Sequence, residues 1–151
     1  MFKLKIPPPI YMLLTVGLMW CFHRFFPMFE LISAPWNQFG IVIMFVALFT
    51  DGLSLLQFFR VHTSINPLRP EKASTLVTTG MYRLTRNPMY MGLLLLLVGW
   101  GVFLGSLLPF ACIPLFIFVL TRQQIIPEEL ILEQKFGQQY HDYKVSVRRW
   151  L

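Results

Sequence analysis

Thirty-five consecutive residues, Asn87 to Thr121, carry no Asp, Glu, Lys or Arg. One helix of that length would run roughly 52 Å at about 1.5 Å per residue. The hydrocarbon core of a bilayer is about 30 Å thick. A break is therefore required, and "GSLLP" at 105–109 supplies it with Gly105, Ser106 and Pro109. The run predicts a tight hairpin of two short helices, about 88–106 and 109–125.

Charges delimit two earlier spans. Eighteen uncharged residues lie between Lys5 and Arg24, behind the breaker Pro7–Pro9, and 29 residues between Glu30 and Arg60 are interrupted only by Asp51. Each interval holds a helix of about 20 residues, the bilayer-crossing length. The basic N-terminus followed by an apolar stretch mimics a signal peptide, but bulky residues follow where small ones mark cleavage, so it reads as a retained first span. The chain is 56% apolar and 13% charged, against roughly 45–50% and about 25% for soluble domains. The fold class is thus an all-α integral membrane protein of about four transmembrane helices. Residues 1–151 form a single membrane domain, with two N-terminal spans in 1–66 and the remaining core in 67–151.

The net charge of +6 raises the question of nucleic acid, but its distribution answers it. Four spans put the N-terminus, the 60–86 loop and the C-terminal tail on one side, with 12 of the 13 basic residues; Arg24 alone lies opposite. The positive-inside rule makes that side cytoplasmic, for both termini. The charge is topology, and no nucleic-acid partner is expected. After Pro127, "EELILEQKFGQQYHDYKVSV" reads as an amphipathic cytoplasmic helix with Leu132, Phe136, Tyr140, Tyr143 and Val147 on one face. Pro127 suits a first helical position, and Glu128 and Glu129 fall where the helix dipole favours negative charge.

Cys21 and Cys112 lie in apolar runs and read as space-filling; His23, His62 and His141 have no ligand spacing, so no metal is expected. "GWGVFLG" at 99–105 looks like a damaged nucleotide fingerprint, yet it follows no strand and lies mid-membrane, where its glycines serve helix packing. Asp51 stands nine residues before Arg60, about 13.5 Å along a helix. A carboxylate at that depth is costly and is by default functional, here as an acceptor-side contact or base; the alternative is a protonated packing residue.

A hairpin returns the chain to its starting side. Tyr82, Arg83, Arg86, Asn87 and Tyr90 should therefore lie near Arg122, Glu128 and Glu129. Aromatic faces and carboxylates at a membrane interface suit a cationic small molecule, although tyrosine belts and interfacial arginines also occur without any site.

Two blocks sharpen the choice. "GMYRLTRNPMY" (80–90) and "EELILEQKFGQQYHDY" (128–143) fit G-x-Y-x-x-x-R-N/H-P-x-Y and E-E-x-x-L-x-x-x-F-G-x-x-Y-x-x-Y, in order, with the hairpin between them. Together they resemble the integral membrane methyltransferases that include isoprenylcysteine carboxyl methyltransferases and phospholipid methyltransferases. The resemblance covers about residues 67–151. It implies S-adenosylmethionine as cofactor, held by Ser74, Thr75, Leu76, Val77, Tyr82, Asn87, Pro88, Met89, Tyr90 and Glu128, with Glu129 the adjacent candidate. It implies methyl transfer to a lipophilic or small acceptor, a carboxylate as in isoprenylcysteine being favoured. Carboxyl-methylating members place an arginine about four residues before the glutamate; Gln124 stands there, which either counts against a carboxylate acceptor or shifts the role to Arg122. Arg86 and Asp51 complete the acceptor-side candidates. The short chain leans toward the bacterial inner membrane. One alternative is a non-catalytic accessory protein retaining the fold. Membrane sterol reductases, with a related architecture and a nicotinamide cofactor, need more spans than 151 residues hold.

Overall fold

The computed structural model describes residues 6–26, 29–61 and 70–151, and they contain helices and turns but no strand. Lys3, Lys5, His62 and Arg69 lie outside the described residues. The helices are α1 (Pro8–Phe25), α2 (Phe39–Val61), α3 (Pro88–Leu104), α4 (Cys112–Leu120), α5 (Ile126–Phe136) and α6 (Gln138–Ser146).

Two helical stretches are long and apolar enough to cross a membrane: Trp36–Gln57 and Leu108–Phe136. The helix α3, with 17 residues, is about 26 Å long. The surface is that of a protein dissolved in lipid. Phe45 and Phe49 on α2 are each 68% exposed, and Leu14 on α1 is 67% exposed. Contiguous apolar surface of this kind is covered by a bilayer, not by water.

With no hydrophobic drive between helices in lipid, close packing decides which faces meet. On α2, Gly40, Ala47 and Ser54 recur every seven residues and are buried. They face α3, which runs antiparallel. A Cβ on Gly40 would stand 2.3 Å from the Gly99 carbonyl oxygen and 2.5 Å from the Phe103 nitrogen. A Cβ on Gly92 would stand 1.7 Å from Asp51 Oδ1. These glycines let the two backbones touch. The helices α1, α3 and α4 enclose a core of Met19, Leu97, Cys112, Phe116 and Leu120.

The hairpin turn falls at Gly105, which adopts φ +75° and ends α3. Its carbonyl accepts the N–H groups of Leu31 and Ile32, at 2.7 and 3.0 Å. His23 Nδ1 and Ser106 Oγ lie 2.6 Å apart beside it.

The second arm differs from expectation. Pro127 does fall in the first turn of α5, but α5 is not a separate helix. The helix runs on from α4 into α5 through a π turn, Thr121–Ile125. Proline has no N–H to donate, and the wider turn before it is compatible with that lack. The expected amphipathic helix is instead divided at Gly137, which takes φ +51°. Its apolar face survives the division: Leu132, Phe136, Tyr140, Tyr143 and Val147 all pack with Val77 and Tyr82.

Both ends of the uncharged run meet on one side. The Asn87 side-chain amide donates to the Arg149 carbonyl at 2.9 Å, and the next residue, Trp150, donates its indole N–H to Thr121 Oγ1 at 3.3 Å.

Candidate cofactor and acceptor site

A cavity of about 550 Å³ opens at this end of the bundle, within the usual range for small-molecule sites. Its first wall is the segment before α3, contributing Thr75, Leu76, Val77, Tyr82, Arg86 and Asn87. Met89, Tyr90 and Leu93 continue that wall along α3, and Glu128, Glu129 and Leu132 enter from α5. Asp51, Gly52 and Leu55 close it from α2; Tyr140 and Tyr143 close it from α6.

The sequence candidates thus separate by position. Thr75, Leu76, Val77, Tyr82, Asn87, Met89, Tyr90, Glu128, Glu129, Arg86 and Asp51 line one cavity. Ser74 is exposed and Pro88 is buried at the start of α3, each next to a lining residue. Arg122 is elsewhere. It borders a separate open hollow with Pro114, Ile117, Phe118 and Thr121, its guanidinium 5.7 Å from the Phe118 ring centre. Arg122, expected to inherit the acceptor role, is thus not among the residues lining the large cavity, and helix phase gives the reason. Residues two apart point to nearly opposite faces, and Gln124 takes the inward one, 1% exposed.

One polar chain ties the two sequence blocks together. The Tyr90 hydroxyl donates to Glu128 Oε2 at 2.6 Å and is also hydrogen-bonded by Gln124. The adjacent glutamate has a different environment. Glu129 receives Arg149 Nε on one oxygen at 3.0 Å and Nη2 on the other at 2.7 Å, while Arg86 Nη2 approaches at 3.2 Å. Glu129 is therefore ion-paired twice, and Glu128 carries a tyrosine hydrogen bond.

The aromatic walls are neutral donors. Burial pushes the Tyr82 phenol well above its ordinary range, with the Glu128 carboxylate adding to the effect. Burial likewise raises Tyr140 and Tyr143, opposed in part by the Arg86 charge. The Tyr143 hydroxyl donates to the Tyr82 carbonyl at 2.7 Å, fixing α6 against the first block. The Arg149 guanidinium is raised further by its hydrogen bonds to Glu129.

Some buried polar atoms have no partner among the described residues: Asp51 Oδ1, Arg86 Nε and Arg86 Nη1 belong to the cavity wall. Such atoms are rare in native folds and call for an explanation. Tyr140, Tyr143, Leu55 and Leu93 line the cavity without having been singled out as site residues. The first two were legible as a helix face, but nothing in the sequence said what that face covers.

The sequence model of the phospholipid methyltransferase family matches residues 36–139. An uncharacterised protein of Haemophilus influenzae is 48% identical over 63 residues, 42% of this chain and all of that protein. Protein-S-isoprenylcysteine O-methyltransferase A of Arabidopsis thaliana is 32% identical over 111 residues, 74% of this chain and 56% of that protein. A probable protein-S-isoprenylcysteine O-methyltransferase of Oryza sativa subsp. indica is 34% identical over 112 residues, 74% of this chain and 55% of that protein. The chain spans about half the length of these named methyltransferases. No solved structure matches it. The family match takes in all of the first sequence block and the second through Gln139, the two segments that wall the cavity, and the chain belongs to the phospholipid methyltransferase family.

Proposed function

We propose that the chain is a four-span membrane methyltransferase using S-adenosylmethionine, with a carboxylate, as in isoprenylcysteine, the favoured acceptor. The observation that supports this most is the Tyr90–Glu128 bond, which joins both sequence blocks at one cavity. The donor set fits the cofactor. Glu128, outside the ion pairs that hold Glu129, suits its ammonium group. The faces of Tyr82, Tyr140 and Tyr143 suit a sulfonium or a flat ring.

When bound, S-adenosylmethionine supplies a methyl group already activated by its sulfonium sulfur. The protein's part is then to bind, orient and exclude water. Residues 74–77, Tyr82 and 87–90 position the cofactor with Glu128. Leu55, Leu76, Leu93 and Leu132 form apolar wall. Asp51, reaching in from α2, and Arg86 address the acceptor. A carboxylate acceptor is already a nucleophile and needs no general base. Among the described residues, Arg83, Arg86, Arg122, Lys135, Lys144, Arg148 and Arg149 belong to segments at the cavity end, while Arg24 lies in the last turn of α1, at its far end. This supports cytoplasmic termini and a cavity open to the cytoplasmic face of the membrane.

The test is calorimetric titration of the full chain in detergent with S-adenosylhomocysteine. It is followed by tritiated-methyl transfer into a lipid extract and into an N-acetyl-S-prenylcysteine. Saturable binding and a base-labile methyl ester are expected. A folded sample that binds no S-adenosylhomocysteine would favour the non-catalytic accessory role instead.

A further inference from the structure

Three charged side chains, two of them on the cavity wall, do not balance. Glu129 is 6% exposed and lies between two guanidinium groups, Arg86 and Arg149, so the cluster keeps one positive charge. The sharing is unequal. Arg149 occupies both oxygens of Glu129, at 3.0 and 2.7 Å. Arg86 has one longer contact, 3.2 Å from Nη2, and its Nε and Nη1 are buried without a partner among the described residues. A buried guanidinium with unmet donors is costly. These donors belong to a residue that lines the cavity, where an anionic oxygen of a ligand would satisfy them.

The backbone fixes this arrangement. Arg149 lies beyond α6, on a segment anchored to the loop that carries Arg86. The Arg86 N–H donates to the Arg148 carbonyl at 2.9 Å. The Thr85 hydroxyl and the Asn87 amide both donate to the Arg149 carbonyl, at 3.0 and 2.9 Å. The two arginines are thus held on either side of one carboxylate by consecutive residues of the first sequence block.

We propose that Arg149 is a positioning residue: by holding both oxygens of Glu129, it keeps that carboxylate from claiming Arg86 and leaves Arg86 free to bind a ligand carboxylate in the cavity. Without Arg149, Glu129 turns both oxygens to Arg86 as a neutral bidentate pair, and the anion subsite closes. The identity of the ligand rests on the function proposed above. The carboxylate is either that of the cofactor's amino-acid moiety or that of the acceptor.

The experiment compares ligands that differ by that group, on the full chain in detergent, with circular dichroism confirming helix content. S-adenosylhomocysteine is paired with 5′-methylthioadenosine, which lacks the amino-acid part; an N-acetyl-S-prenylcysteine is paired with its methyl ester. Arg149→Gln is expected to weaken the carboxylate-bearing member of one pair by about ten- to hundredfold and to leave its counterpart unchanged. The affected pair identifies the source. Glu129→Gln added to Arg149→Gln removes the competing carboxylate and is expected to restore most of the affinity, which a general folding defect would not allow. Arg149→Gln binding every ligand like the native protein overturns the proposal. So does equal weakening within both pairs without rescue by Glu129→Gln. Failure of the native chain to bind S-adenosylhomocysteine overturns the functional reading, and this inference with it.

Discussion

Substituting alanine for the glycines between α2 and α3 separates two kinds of close contact. At Gly92 the new methyl would stand 1.7 Å from Asp51 Oδ1, 2.2 Å from its Cγ and 2.5 Å from Oδ2. All three contacts are with the end of one side chain. To reach even 3.0 Å, the near oxygen must retreat by about 1.3 Å, which a rotation of Asp51 provides. Overpacking costs about 1–3 kcal/mol, and alanine returns up to about 1 kcal/mol of helix propensity. Gly92→Ala is therefore expected to destabilise by at most about 2 kcal/mol. Adding Asp51→Ala should bring the chain to within about 1 kcal/mol of native stability, since the clash and a buried unpartnered oxygen disappear together. Gly40→Ala has no such remedy. Its methyl meets the Gly99 carbonyl oxygen at 2.3 Å, the Phe103 nitrogen at 2.5 Å and the Phe103 Cα at 2.9 Å. Only separating the helices relieves backbone contacts, so the loss should reach the upper end of the overpacking range, about 3 kcal/mol or more. Thermal denaturation in one detergent, followed by circular dichroism, orders the four proteins. The reasoning is refuted if Gly40→Ala is tolerated as well as the Gly92→Ala/Asp51→Ala pair, or if Asp51→Ala rescues nothing.

Tyr90→Phe keeps the ring in its core but strips Glu128 of its 2.6 Å hydrogen bond. A loss of about 1.5–3 kcal/mol in stability is expected, less than the about 3–5 kcal/mol of emptying the site with Tyr90→Ala; a Tyr90→Phe protein as stable as the native one would mean the hydroxyl contributes nothing. Gly105→Ala forces a side chain into a left-handed turn, with its Cβ 2.4 Å from the Ile32 carbonyl oxygen. The conformational cost alone is about 1–2 kcal/mol, measurable by the same denaturation. Glu128→Ala should reduce S-adenosylhomocysteine affinity with helix content retained, and unchanged affinity would remove Glu128 from the site.

The elements most legible in the sequence were those fixed by strong local chemistry. A charge-free run too long for one crossing demanded a break, and Gly105 supplies one because it alone among its neighbours takes a left-handed turn. Asn87-Pro88 marked the start of α3 because proline loses nothing at a first turn. The cavity's first wall and Glu128 were reachable through the sequence blocks. What stayed hidden depends on contacts without local signature. Arg149 and Glu129 are 20 positions apart and meet through an extended segment with no periodicity. Arg122 and Gln124 look interchangeable in a list of polar residues, and only the phase of the helix sends one inward. Pro127 marked the first turn of α5, but it hid the continuity with α4, because the irregular turn before it joins the two without a break.

The π turn at Thr121–Ile125 sets the rotational phase of everything downstream. A π turn fits one more residue into about the same rotation as an α turn, so deleting one residue there would restore a regular α-helix and leave Glu128 and Glu129 near their present direction, whereas a deletion that the turn does not absorb would swing them by roughly 100°. A length change that would put a regular rod out of phase is here taken up locally, much as slack in a drive chain yields one link without moving either wheel.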